Sequence, residues 1–377
     1  MFFRRNIRVG NMDITSELSK SLKQHLTWNK CRIDCFAKMI IALLTVRTVK
    51  LTEWAQVFLT NANPNSAYMR IKRFFRYFDL DGDMLARFIF NLFGFSSGRW
   101  YLTLDRTNWE FGCFKINFLV LAVVYKGVAI PLMWTLLNKK GNSSCKERKA
   151  LMKRFISCFG REVIAGVLAD REFVGKPWFN YLVKQKIPFF IRIKWNFLVT
   201  NTQGRLVNAW QLFTGLKKEE SRVLQGKRKI FGLKFNVAGM RCLDGGFLII
   251  ATTESADDAL EIYGYRWEIE TLFGCLKTRG FNLEDTHITR LDRLGKLMAV
   301  LAVAFCWAHK VGEWKNEVTP IKIKKHGRHA MSLFRSGANI LRRILCKTPS
   351  KAEVRQILRI LFSPPDGIQR LRIGVTL

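Results

Sequence analysis

WYLTLD (Trp100–Asp105), KINFLVLAVVYKG (Lys115–Gly127) and VAIPLMWTLL (Val128–Leu137) are the runs that decide the fold. Residues 1 to about 95 read as helices with mixed apolar and basic faces, and from Trp100 the pattern turns extended. The first run is short and apolar and ends in an aspartate. The second and third are continuous apolar stretches, as strands buried on both faces require, and Lys126-Gly127 between them predicts a tight turn.

Working toward the C-terminus, KKGNSSCKERKA has linker composition and precedes a helix over residues 146–159. REVIAGVLAD (Arg161–Asp170) is a second apolar strand ending in an aspartate. PWFNYLVKQ (Pro177–Gln185) opens with Pro at a helix start, and IPFFIRIK (Ile187–Lys194) returns to a strand. Three strands, a helix, a strand, a helix and a strand are what a ribonuclease H-like α/β core shows, a mixed sheet with helices on its faces. Residues 195–247 are polar and basic and read as a β-rich insertion before a last strand, GGFLIIATT (Gly245–Thr253). Beyond Gly280 the chain turns helical again, with AVLAVAFCWAHK packing inward and a basic tail from Lys310. The expected divisions are a helical domain over 1–95 (assigned to DNA binding on the helix pair and charge read below), core over 96–194, insertion over 195–247, core again over 248–300, and a basic helical region over 301–377.

Working toward the N-terminus, LTEWAQVFLT (Leu51–Thr60), the turn NANPN and SAYMRIKRFFRYF (Ser66–Phe78) form a helix pair. The second helix carries Arg70, Lys72, Arg73 and Arg76, and expects Phe74, Phe75 and Phe78 on its buried side. The pair resembles a helix-turn-helix, and equally a helical hairpin with a basic face. DLDGD (Asp79–Asp83) ends that helix and lacks the later ligands of a calcium loop.

The chain of 377 residues has 63 Lys+Arg against 29 Asp+Glu, a formal net charge of +34. Such an excess repels itself unless a polyanion is the partner, so nucleic acid is the leading inference. An anionic membrane fits less well, because the charge is spread along the chain rather than gathered on one amphipathic helix. The apolar run Leu297–Ala308 is too short to span a bilayer and reads as a core helix. The start MFFRRNIRVG lacks a signal-peptide layout, and the nine cysteines, an odd number, point to reduced thiols in the cytoplasm. Cys31 and Cys35 lie a helical turn apart with no second pair at zinc-finger spacing. His326 and His329 in KIKKHGRH could hold a metal, but a solvated basic loop is the better reading. A glycine-rich phosphate loop is absent from the sequence.

The chemistry concentrates in IYGYRWEIETLFGCLKTR (Ile262–Arg279). Acidic Asp257-Asp258 precede it and Gly280 closes it, which predicts one helix without interruption. Ile269, Leu272, Phe273 and Leu276 form its apolar side. Tyr263, Arg266, Glu270 and Lys277 fall within roughly 60° of one another, and Glu268 points nearly opposite. Taken alone, this ladder reads as an exposed face with an i,i+4 ion pair, or as a metal-binding carboxylate flanked by cations that grip phosphates.

Tyr-x2-Arg-x3-Glu-x6-Lys resembles the signature of one group of bacterial insertion-sequence transposases, the insertion-sequence-4 type of DDE transposases. LDRTNW (Leu104–Trp109) and ADREF (Ala169–Phe173) are similar to the segments around that family's two aspartates. The resemblance implies a metal-binding triad of Asp105, Asp170 and Glu270, with two Mg²⁺ ions that Mn²⁺ could replace. Aspartates at the carboxyl ends of buried strands suit this work, since the sheet fixes their backbones. It also implies cut-and-paste transposition: water nicks the element end, and the freed 3′-hydroxyl attacks the opposite strand and later the target. Tyr263, Arg266 and Lys277 would contact phosphates near the transposon end. Arg106 and Arg171 are candidates for the same work or for structural ion pairs. The implied partners are double-stranded DNA, as inverted-repeat ends and as target, and a second copy of the chain in the synaptic complex, in a bacterial cytoplasm beside the nucleoid. Relatives resolve their ends through a hairpin, aided by a base flipped onto an aromatic. Trp195 and Trp210 are the tryptophans available in the insertion, with core packing as the default for both. Two other readings share the residues: a nuclease without strand transfer, and a DNA-binding protein without catalysis.

Overall fold

The computed structural model describes residues 14–325, 327, 329–347 and 349–363; His326 lies outside them. Contacts divide the chain into two compact units. One holds Ser97–Asn108 and Asn117–Leu272, and the other the described parts of Met1–Ser96, Trp109–Ile116 and Phe273–Leu377.

The second unit is helical. Its N-terminal part contains α1 (Ile14–Lys23), α2 (Lys30–Val46), α3 (Leu51–Val57), α4 (Pro64–Tyr77) and α5 (Gly82–Leu92). Local chemistry sets the ends. Asn63 caps α4 by accepting from the Ser66 N–H with Pro64 at the helix start, and Asp81 caps α5 through Asp83 and Met84. Phe74 and Phe75 are buried as the α4 pattern requires, whereas Phe78, just past the helix end, is half-buried and packs against Trp28.

The other unit is built on a sheet. Its strands are β1 (Trp100–Phe111), β2 (Phe114–Tyr125), β3 (Val128–Leu136), β4 (Ile164–Ala169), β5 (Phe189–Ile193), β6 (Leu198–Thr200), β7 (Leu206–Asn208), β8 (Ser221–Val223), β9 (Arg228–Ile230), β10 (Leu233–Arg241) and β11 (Phe247–Thr252). The first few residues of β2 and the last of β1 belong to the helical unit. Nine strands form one mixed sheet, ordered β3-β2-β1-β4-β5-β11-β10-β8 with β9 on β10. Strands β1, β4 and β5 run parallel, and β5, β11, β10 and β8 alternate in direction. Lys126 and Gly127 both take positive φ, 49° and 89°, and make the tight β2–β3 turn the sequence predicts. The segment 195–247, expected as a β-rich insertion, holds strands of two kinds. β6 and β7 form their own two-stranded sheet, but β10 pairs with β11 over six residues and carries β8 into the main sheet.

Helix α6 (Cys145–Phe159) begins in a capping box of Ser144 and Glu147, and α7 (Lys176–Lys184) begins with Pro177. The ladder segment is not the single helix its spacing predicts. It divides into α8 (Ala259–Gly264) and α9 (Trp267–Leu276). Across the break, Arg266, Glu268 and Ile269 donate their N–H groups three residues back rather than four. Gly264, a poor helix former, stands at the break. The apolar stripe survives it, with Ile269, Leu272 and Leu276 fully buried. Gly280 ends the segment by close approach: a Cβ there would lie 1.9 Å from the Cys275 carbonyl oxygen.

The chain then returns to the helical unit as α10 (Leu291–Val318), α11 (Leu333–Cys346) and α12 (Lys351–Phe362). The apolar stretch is longer than the run read from sequence, because α10 spans 28 residues and is long and apolar enough to cross a membrane by length and composition. It is instead packed against α2, α4, α5, α11 and α12, and Leu297–Val311 are buried. The core-helix reading stands on that burial.

Candidate functional site

The site grows from the register of the parallel strands. Leu104 of β1 pairs with Ala169 of β4, and Ala169 pairs with Ile191 of β5. One step further along each strand are Asp105, Asp170 and Arg192. They form a row where the parallel ladder ends, and because side chains alternate along a strand, all three project to one side. Asp105 is therefore not at the end of its strand, since β1 continues to Phe111, but it is at the end of the parallel pairing.

The break between α8 and α9 brings Tyr263 and Arg266 to this row. Tyr263 is buried, and its hydroxyl donates to Asp170 Oδ1 at 3.4 Å. Arg266 is 5% exposed and bridges two carboxylates, Nη1 to Asp105 Oδ2 at 3.4 Å and Nη2 to Glu270 Oε1 at 2.8 Å. Its guanidinium lies over the Trp267 ring, and its Nε is buried without an acceptor. Arg192 Nη1 stands 3.8 Å from Asp170 Oδ1. Three carboxylates distant in sequence are thus knitted by two arginines and a phenol.

The electrostatics follow from burial. Asp105 is pushed up to about 6, first by burial and further by the nearby Glu172 and Asp170 carboxylates; the Arg106 N–H and the Arg266 charge oppose the shift. Burial also raises the Tyr263 phenol, against the opposing charge of Arg266. For Arg266 burial works against the charge, but Tyr263, Glu270 and Asp105 outweigh it and the net shift is upward.

Arg106 stands in an ion pair with Glu172. Its Nε and Nη2 donate to the two oxygens of Glu172, both at 2.7 Å, and Nη2 also reaches Asn142 Oδ1 at 3.0 Å. Nη1 donates to Asn117 Oδ1 at 3.1 Å and to the Gly141 carbonyl at 2.8 Å. A guanidinium has five N–H donors, and all five are engaged within the protein. The pair joins the residue after Asp105 to the residue two past Asp170, a strut just beyond the end of the parallel β1–β4 pairing. Arg171 is exposed and belongs to no ion pair among the described residues. Lys277 follows the end of α9, in an ion pair with Glu284 at 2.7 Å and over the Trp109 ring. On α4, Arg70 is held by Asp34 at 2.6 Å, while Lys72, Arg73 and Arg76 are exposed. Trp195, taken by default as a core residue, is 54% exposed, and Trp210 is half-buried.

Sequence reading missed four contributors. Arg192 was signalled by a lone cation within the apolar strand FFIRI. Glu172 lies inside ADREF and was given no role. Asn117 interrupts an apolar strand. Glu268, read as pointing away, accepts the N–H groups of Tyr125 and Gly127 at 2.7 and 2.9 Å and fastens α9 to the β2–β3 turn. Burial pushes it up to about 7, against those two hydrogen bonds.

Residues 132–307 match the transposase DDE domain. The matched span, just under half of the chain, includes Asp170, Arg266 and Glu270; Asp105 precedes it. The match supports DNA transposase function of the DDE class, whose members generally use divalent metal ions. Among solved structures, the chain is similar to a piggyBac transposase in a synaptic complex with hairpin DNA. The TM-score is 0.48 and the identity 11%, over 96% of this chain and 82% of that one. No curated protein sequence matches the chain.

Carboxylate oxygens are hard donors of the kind that Mg²⁺ or Mn²⁺ takes. Asp105, Asp170 and Glu270 supply oxygens of that kind, with Asp105 raised to about 6 first by burial. Among the described residues, no three His, Cys, Asp or Glu side chains stand close enough together to share one ion. Between Asp105 and Glu270 the position is held by the Arg266 guanidinium.

Proposed function

We propose that the chain is a cut-and-paste DNA transposase of the insertion-sequence-4 type, with a ribonuclease H-like core and Asp105, Asp170 and Glu270 as its metal-binding triad. The observation that carries this reading is the row of Asp105 and Asp170 just past the end of the parallel β1–β4 pairing, with Glu270 tied to the same row through Arg266. The strand order β3-β2-β1-β4-β5 with β1, β4 and β5 parallel supports the core assignment.

When bound, divalent ions would supply Lewis-acid polarisation of the scissile phosphate and a lowered pKa for the attacking water. The chain's own residues do the rest. Asp105, Asp170 and Glu270 provide the oxygen ligands. Arg192 and Tyr263 orient the Asp170 carboxylate from two directions. Arg266 neutralises Asp105 and Glu270 in the free protein and, moved onto a DNA phosphate, would free both for the ions; Lys277 offers a second, point-charge contact. Substrates are the inverted-repeat ends and target DNA, in an assembly of two chains in the bacterial cytoplasm.

A joining assay with pre-cut ends from the DNA flanking the reading frame, a target plasmid and Mg²⁺ tests this. Joined product is expected from the wild type, and Asp105→Asn, Asp170→Asn and Glu270→Gln should each lose both cleavage and joining while keeping end binding. Cleavage without joining would indicate a nuclease. Binding without either reaction, in the wild type, would indicate a DNA-binding protein.

A further inference from the structure

The helical unit carries an open cleft of about 280 Å³ where α3 and α4 meet the segment 286–290 and the first turn of α10. Its floor is apolar, with Val49 and Phe75 buried and Ile288 beside them. Four cations line it, Lys50, Lys72, Arg290 and Arg293, and none of the described lining residues is acidic. These cations are poorly neutralised. Lys50 stands 4.0 Å from Asp285 with both side chains about half exposed, and the Arg290–Asp292 pair is likewise open to solvent. Lys72 lies over the Tyr68 ring and joins no ion pair among the described residues. The Nε of Arg293 is buried without an acceptor.

Four like charges around one cavity repel each other, and an anion seated among them relieves that repulsion. The anion must accept from a guanidinium and ammonium groups while leaving an apolar moiety against the floor. A phosphodiester does both, through its non-bridging oxygens and its deoxyribose. We propose that this cleft binds the sugar-phosphate backbone of DNA, its cations replacing the counterions of about two adjacent phosphates. The proposal rests on the reading of DNA as the substrate but not on the carboxylate triad.

The test uses the full chain and a duplex from the DNA flanking the reading frame, bound at a series of salt concentrations. Lys72→Gln combined with Arg293→Gln should weaken binding and flatten the slope of log affinity against log salt by about 0.9 per lost phosphate contact. The same variant should lose a discrete backbone patch from the hydroxyl-radical footprint. If Arg293→Gln does not fold, Lys50→Gln with Lys72→Gln, both at exposed positions, should give the same loss. Wild type that binds duplex, with slope and footprint unchanged in the variants, overturns the cleft alone. Wild type that binds no duplex overturns both the cleft and the transposase reading. Inorganic phosphate binding that the variants abolish, with DNA binding unaltered, would mark a free-phosphate site and also overturn the proposal.

Discussion

Arg266 joins Asp105 and Glu270 from a buried position, reaching the half-buried Asp105 on one side and the exposed Glu270 on the other. Removing it leaves two carboxylates facing each other, one of them already short of compensation. Arg266→Met should therefore destabilise the sheet unit by about 1–2 kcal/mol, below the cost of breaking a fully buried pair because the Glu270 side chain is 42% exposed. Urea unfolding measures this directly. Mg²⁺ should raise the unfolding midpoint of the variant more than that of the wild type, because the ion no longer competes with a guanidinium. Equal shifts would mean that Arg266 does not stand in the ion's place. The Arg266–Glu270 pair was legible from four-residue spacing. The Asp105 contact was not, because it depends on where the chain breaks between α8 and α9.

At the scale of elements, the parallel pairing of β1 with β4 aligns the two aspartates, and the Arg106–Glu172 strut fixes the chain just beyond them. Arg106→Gln and Glu172→Gln should each slow cleavage at least about tenfold while leaving the salt slope of DNA binding unchanged. A double-mutant cycle on unfolding should return a coupling of about 1–3 kcal/mol. Additive effects would show that the two side chains act separately. The hairpin of β2 and β3 and the strands leading to Asp105 and Asp170 were legible because each is written in local chemistry: apolar runs and a Lys-Gly turn. Glu172, Asn117, Arg192 and Glu268 were not, because their partners are set by strand register and by a turn distant in sequence. The pairing of β10 with β11, which carries β10 and β8 into the main sheet, is likewise set by register and not written locally.

At the scale of the whole molecule, a formal charge of +34 calls for a polyanionic partner, yet one of those cations is held in the core. Lys310 on α10 is fully buried and donates to the carbonyls of Leu92 and Ser363. Burial depresses it from 10.5 to about 7, against the charges of Glu313 and Cys306. Between those values the unfolded chain holds a proton that the folded one has released, so stability should rise with pH from about 7 to 10.5. Lys310→Met should remove up to about 1.4 kcal/mol per pH unit of that slope. Chemical denaturation of both proteins at matched pH values isolates this contribution from the cysteines and tyrosines that titrate nearby. Identical slopes would mean that Lys310 keeps its proton throughout.

The clamp of Glu268 on the Tyr125 and Gly127 amides has a consequence for how this chain can vary. Glu270 is two residues from the clamp, so its reach is calibrated by a two-residue bend at the opposite end of a hairpin. Lengthening that bend by one residue would leave every acidic side chain in the sequence and still detune the distance between them. Tolerance to insertion, ordinarily a property of surface loops, should be missing at this one.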